Sequence, residues 1–221
     1  MTQHPLYVYF HICCINNWKE ITLKIVLSIK ESSIYEKITK VRCFLLGKVH
    51  DSDLEWLGGL SCKIEIAGNN QNTKLYEAFT LQQLWLDSQY NDFNVLYLHA
   101  KGVSWKGRRS SVNDWVDYLI YFNVDRGDNM LKLLDQYSVI GVNLQSLPEL
   151  HFSGNFWWSK ASYIKTLNND MTQNYLAAEF WICSGTGHFR SLWNSNINHY
   201  KDRYSPEEYK DRDIKLIEIS N

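Results

Sequence analysis

The chemistry-bearing residues of this chain fall in three places, and the clearest is the segment Phe93 to Trp105. There an apolar run, Val95 to Leu98, stops abruptly at His99, Lys101 and Gly102. A short apolar run closed by turn residues reads as a buried strand of a parallel sheet, and open α/β sheets gather ligands at the carboxyl ends of their strands. An imidazole, an ammonium and a glycine delivered there suit an anion; a solvated basic turn fits the same residues. The second place is His151 to Trp158. Gly154 lets backbone approach a ligand closely, while Ser153 and Asn155 offer donors and acceptors. If the segment is a strand, Trp157 and Trp158 point to opposite faces, one into the core and one toward a ligand; a strand with a glycine bulge and two packing indoles is the other reading. The third is Glu179, in the apolar stretch Leu176 to Ile182. A desolvated carboxylate suits general-base work, and it suits equally an ion pair with an arginine such as Arg190. His188, between Gly187 and Phe189, fits a metal ligand, a phosphate donor or an ordinary loop residue.

The elements that must position these groups alternate. Leu6 to Ile12 is a β-branched and aromatic run, hence a strand. A helix follows through about Lys30, with Ile21, Ile25, Leu27 and Ile29 as its apolar positions. Val41 to Leu46 is a second strand, and Cys62 to Ile66 a weaker third, stopped by Gly68-Asn69-Asn70. Leu75 to Tyr90 repeats apolar residues at helical spacing and leads into the strand at Val95. Helices are expected over Asn113–Phe122, Asn129–Gln136 and Ser159–Leu167, and a strand over Tyr137–Val142. Alternating strands and helices call for an α/β fold with a mostly parallel central sheet flanked by helices. No repeat or linker divides the chain, so residues 1–221 read as one domain.

Composition narrows the function classes. A net charge of −1 over 221 residues leaves no global field to attract nucleic acid. The densest basic cluster, Lys101, Lys106, Arg108 and Arg109, suits a diphosphate clamp or a solvated loop, and lacks the wider basic face that nucleic acid calls for. Nine tryptophans and fourteen tyrosines exceed the needs of one core, which points to aromatic binding surfaces. Five cysteines without CxxC spacing argue against a disulfide framework or structural zinc. No carboxylate cluster has the spacing of a metal-dependent hydrolase. Glycine-rich phosphate loops and the common hydrolase motifs are missing. With no signal-peptide pattern and no run of about twenty apolar residues, a cytoplasmic protein without stable membrane insertion is expected.

The order of these features, with YLHAKG at a strand end, then HFSGNFWW, then EFWI, resembles a family of small GT-A-type glycosyltransferases of bacteria and large DNA viruses. The likeness runs from about Leu6 to Arg190. It implies a single GT-A-like (Rossmann-like) domain over residues 1–221, with a nucleotide-binding half over about 1–105 and a sugar and acceptor half over about 106–221. The implied activity is transfer of a sugar from a nucleoside-diphosphate sugar, a UDP-sugar first, to a glycan hydroxyl, in the host cytoplasm if viral. Many GT-A enzymes end this strand in a YLDxD-like motif whose aspartates hold a divalent cation. Here a histidine and a lysine, His99 and Lys101, replace both. A lysine supplies positive charge to the leaving diphosphate directly, which puts dependence on Mn2+ or Mg2+ in question; His99 and His188 are the candidate metal ligands, with Asp87 and Asp92 as further carboxylates, and no redox cofactor is implied. By position, His11 and Ile12 meet the nucleotide, and His99, Lys101, Gly102 and Ser104 the diphosphate. Ser153, Gly154 and Asn155 line the sugar, while Trp157, Trp158 and Trp181 face donor or acceptor. Glu179 stands by the acceptor hydroxyl, as catalytic base in an inverting enzyme or as a group that binds acceptor hydroxyls in a retaining one. A carbohydrate- or nucleotide-binding module without turnover is the alternative; it leaves Glu179 without a task.

Overall fold

A computed structural model describes residues 4–104, 110–171, 176–214 and 216–220. The chain begins β1 (Leu6–Cys13), α1 (Trp18–Glu31), β2 (Ile38–Leu46), α2 (Asp51–Gly59), β3 (Ile64–Asn70), α3 (Ala78–Tyr90) and β4 (Asn94–His99). It continues with α4 (Ser110–Ile120), α5 (Gly127–Leu133), β5 (Val139–Gly141), β6 (Leu144–Gln145), β7 (His151–Phe152), β8 (Trp157–Lys160), α6 (Ala161–Ile164), α7 (Ala177–Trp181), β9 (His188–Ser191) and β10 (Ile217–Ser220). Eight strands form one sheet in the order β10-β9-β5-β8-β4-β1-β2-β3; β6 and β7 form a separate two-stranded pair. β1 to β4 are mutually parallel, whereas β8 runs antiparallel to both of its neighbours, and β10 to β9. Strands from both halves of the chain thus share one sheet. No helix among the described residues is long and apolar enough to cross a membrane.

Period-two alternation along the strands splits the core in two. Val8, Phe10 and Ile12 of β1 join Leu96 and Leu98 of β4 on one face, packed with Ile25 and Ile29 of α1 and Trp115 and Leu119 of α4. Tyr9 of β1 and Val95 and Tyr97 of β4 lie on the other face, against Leu81 and Leu84 of α3. The parity continues to the strand ends, so His11 and His99 also point to the α3 side. The connections explain where a crevice opens. α1 and α2 pack on the first face as the chain steps outward through β1, β2 and β3, and α3 then returns on the opposite face to β4, beside β1. The strand order reverses between β1 and β4, which is the switch point where open α/β sheets take up ligands.

Several local departures from the sequence reading have physical causes. α2 lacks a counterpart in that reading because its nine residues are rich in Asp and Gly. It forms through a capping box, in which the Asp53 carboxylate accepts from the His50 N–H at 2.9 Å, and through Leu57, which is fully buried. β3 runs on through Gly68 to Asn70 instead of stopping there: a β-carbon at Gly68 would lie 3.1 Å from the rings of Phe44 and Phe79, and glycine lets the strand pass beneath them without displacing either ring. α4 ends in a π turn at Tyr121–Asp125, which leaves the Asn123 carbonyl to accept from the Trp158 indole at 2.9 Å. Residues 151–158 are not one strand. They turn at Gly154 and Asn155, both at positive φ, before entering β8. Since β8 lies between β4 and β5, with helices covering both faces, Trp157 and Trp158 are each fully enclosed. The expectation that one indole faces a ligand is therefore corrected. Trp157 stacks on Tyr97 with centroids 4.8 Å apart.

Candidate functional site

A cavity of about 270 Å³ opens at the carboxyl ends of β1 and β4. His11 and His99 stand opposite each other in the strand register, and both line it with Cys13, Lys101, Gly102 and Ser104. The loop beyond β4 is shaped by Gly102, whose φ of +93° suits glycine and where a β-carbon would meet Val112 at 2.9 Å. The Asn16 amide donates to the Val103 carbonyl at 2.6 Å and ties the loops after β1 and β4 across the crevice.

Lys101 is the cation at the centre. It is 6% exposed, with its ammonium 3.9 Å from Glu179 Oε1 and 4.0 Å from the centroid of Trp115. Burial pushes its pKa down, and the charges of Glu179 and Glu77 work against that shift. A desolvated ammonium held in this way gains strongly from an arriving anion. Glu77 forms the opposite wall. Its Oε2 accepts from the Tyr97 hydroxyl at 2.7 Å and the Asn155 amide at 2.8 Å, and its Oε1 lies 3.8 Å from His99 Nδ1. His99 Nε2 is 2.9 Å from the Gly154 carbonyl, an acceptor only, so the proton sits on Nε2. His11 Nδ1 pairs with the Thr80 hydroxyl at 2.8 Å in the first turn of α3.

Burial lowers the pKa of His99 to about 3, helped by the Lys101 charge, and that of His11 to about 4 against the pull of Glu77. Both imidazoles are neutral at pH 7. The unfolded value near 6.5 lies above both folded values, so on acidification the unfolded chain binds protons first. This contribution to stability is complete above pH 6.5 and falls as the pH drops toward 4. Thermal unfolding midpoints taken from pH 7.5 to 4 are expected to decline, with a shallower decline for His99→Gln; parallel curves for the two proteins would contradict the assignment.

The remaining expected site residues are distributed as follows. Glu179, on α7, faces Lys101 rather than Arg190, whose guanidinium lies over the Tyr137 ring at 5.2 Å. Ile12 points into the α1-side core with no exposure, and its neighbours His11 and Cys13 take the cavity positions. Gly154 and Asn155 stand behind the wall as supports for His99 and Glu77. Ser153 lines a different cavity, beside Trp115. Trp181 is buried, its indole donating to the Asn168 carbonyl at 2.8 Å. His188 is exposed at the start of β9, where its backbone bonds Ser138. Lys106, Arg108 and Arg109 lie outside the described residues.

A divalent cation does not fit these residues well. Among the described residues no three His, Cys, Asp or Glu side chains are grouped to hold a metal. Near the cavity, His99 Nε2 is spent on a carbonyl, Glu77 Oε2 accepts two hydrogen bonds, and the Lys101 ammonium already brings positive charge to the same lining. Asp87 is bound by Arg42, Tyr9 and Gln83; Asp92 lies 4.0 Å from Lys165.

Thr73, Lys74, Tyr76 and Glu77 also line the cavity, as does Tyr200, and none of them is among the expected residues. A helix read as starting at Leu75 absorbs Tyr76 and Glu77 into its first turn. With α3 starting at Ala78, they become the loop entering a helix at the ligand end of the sheet, a place that favours anions. Tyr200 comes from a tail without helix or strand periodicity. Comparison with known families finds that the model of a domain of unknown function, DUF8361, matches residues 33–202. No curated protein matches the chain.

Proposed function

The chain belongs to the DUF8361 family, a domain of unknown function, and we propose from its site that it is a glycosyltransferase. The donor is a nucleoside-diphosphate sugar, a UDP-sugar first, and the acceptor a glycan hydroxyl. The observation that carries this reading is the buried Lys101 ammonium facing the Glu179 carboxylate across 3.9 Å at the β1–β4 switch point. The parallel order β3-β2-β1-β4 is that of a nucleotide-binding half-sheet, and together with the YLHAKG strand end it supports a GT-A-like assignment.

The residues divide the chemistry. The nucleoside occupies the cavity between His11 and Tyr76, and the diphosphate reaches Lys101, with Lys74 as a second cation on the wall. As the bond from the sugar C1 to the diphosphate oxygen breaks, negative charge builds on the leaving group, and Lys101 stabilises it without a metal. The acceptor oxygen bonds to C1, and its proton passes to Glu179. Glu77 keeps His99 and Asn155 in place throughout.

The test is incubation of the purified chain with UDP-glucose, UDP-galactose and UDP-N-acetylglucosamine, and with GDP- and CMP-sugars, following nucleotide release with and without an oligosaccharide acceptor. Release of UDP from at least one donor, stimulated by acceptor, is expected. No release from any donor, with or without manganese, would count against the proposal.

A further inference from the structure

Beside the proposed donor cavity lies a second one of about 390 Å³, lined by Trp115, Gln145, Ser153, Asn196, Asn198 and His199, among others. Its described lining holds amides, a hydroxyl, an imidazole and an indole, and no carboxylate, lysine or arginine. Burial together with the Lys101 charge lowers the His199 pKa to about 4, so this side chain too is neutral at pH 7. Two of the lining side chains carry buried polar atoms without a partner among the described residues, Trp115 Nε1 and His199 Nδ1. The Asn143 carboxamide is oriented by its oxygen, which accepts from the Ser195 backbone at 2.8 Å and the Tyr118 hydroxyl at 3.0 Å. Its NH2 therefore faces His199 Nε2 at 3.2 Å, which places the imidazole proton on the unpartnered Nδ1. Both atoms are donors enclosed by protein, Trp115 Nε1 beside Gly154, whereas the amide side chains of Gln145, Asn196 and Asn198 and the Tyr200 ring, 40% exposed, are the parts of the lining open to solvent.

We propose that this cavity is a subsite for a neutral, hydroxyl-rich ligand, a saccharide, that serves as acceptor. Sugar hydroxyls accept from the amide NH2 groups of Gln145, Asn196 and Asn198 and give protons to their oxygens, while the exposed Tyr200 ring suits the apolar face of a pyranose. A phosphate or carboxylate ligand would find no countercharge in this lining. The position relative to the first cavity is what an acceptor needs. Tyr200 lines both cavities, and the Trp115 ring that walls the second stacks on His199 with centroids 5.1 Å apart and carries the Lys101 ammonium at 4.0 Å. A hydroxyl reaching past Tyr200 arrives at the Lys101–Glu179 pair. The role as acceptor rests on the transferase reading; the presence of a saccharide site does not.

The test is saturation-transfer NMR with lactose, cellobiose, maltose and diacetylchitobiose on the wild-type chain, on Gln145→Trp, which fills the cavity from an exposed position, and on Ser153→Ala. UDP binding is measured on the same samples by calorimetry. At least one disaccharide is expected to bind the wild type, with affinity reduced about tenfold or more, the equivalent of one to two lost hydrogen bonds, in Gln145→Trp and detectably in Ser153→Ala, and UDP binding unchanged. Absence of binding by all four disaccharides, or binding indifferent to both substitutions, would overturn the subsite. If disaccharide binds at this cavity and UDP does not bind at all, the subsite stands and the transferase reading fails; if UDP binds and no disaccharide does, the reverse holds.

Discussion

Glu179→Gln is expected to lower sugar transfer by ~10²–10⁴-fold, the usual contribution of a positioned general base, while UDP binds as well as to the wild type or more tightly. The sign of the binding effect follows from geometry. Glu179 is the carboxylate nearest the Lys101 ammonium, at 3.9 Å, and glutamine keeps its shape while removing the negative charge that competes with an incoming diphosphate. A carboxylate with a purely structural role would produce a different result: its loss would weaken nucleotide binding and turnover together and lower the unfolding midpoint. A non-catalytic binding module has no turnover to lose. Kinetics and calorimetry on the one variant therefore separate the three cases.

The second large effect is expected at Lys101. Lys101→Met preserves an unbranched side chain against Trp115 and removes the charge. A charge-assisted hydrogen bond contributes about 1.5–3 kcal/mol, so the affinity for UDP should fall by roughly 10- to 150-fold. Uridine, which carries no phosphate, should bind the variant and the wild type alike. An equal loss for uridine would mean that the substitution distorts the cavity, and no loss for UDP would remove Lys101 from the diphosphate site. Transfer should fall further than affinity, because the lysine acts most strongly on the charge that develops as the diphosphate departs.

The sheet was legible where its signal is local. Leu6 to Ile12 and Val95 to Leu98 are short apolar runs whose length and flanking turn residues favour buried strands, and from them the strand ends at His11 and His99 follow. His99, Lys101, Gly102 and Ser104 consequently lie where their place in the chain suggested, around one cavity. The sequence was less informative where position depends on partners far along the chain. Glu77 becomes part of the site through Tyr97 and Asn155, and no spacing rule links residues twenty and seventy-eight positions apart. The indoles of Trp157 and Trp158 looked amphipathic in a strand read alone, yet β8 is inserted between two other strands and both sides of it are core. Ser153, Gly154 and Asn155 show the same limit: one turn at positive φ divides three consecutive residues between a neighbouring cavity, a carbonyl that holds His99 and an amide that holds Glu77.

Calorimetric titration of the wild-type chain with UDP, GDP and CMP, each with and without manganese, tests the central claim most directly. Binding of UDP that needs no manganese is the predicted result, since the Lys101 ammonium supplies the charge a metal would bring. Binding of none of the three nucleotides, or binding of UDP only when manganese is present, would contradict it.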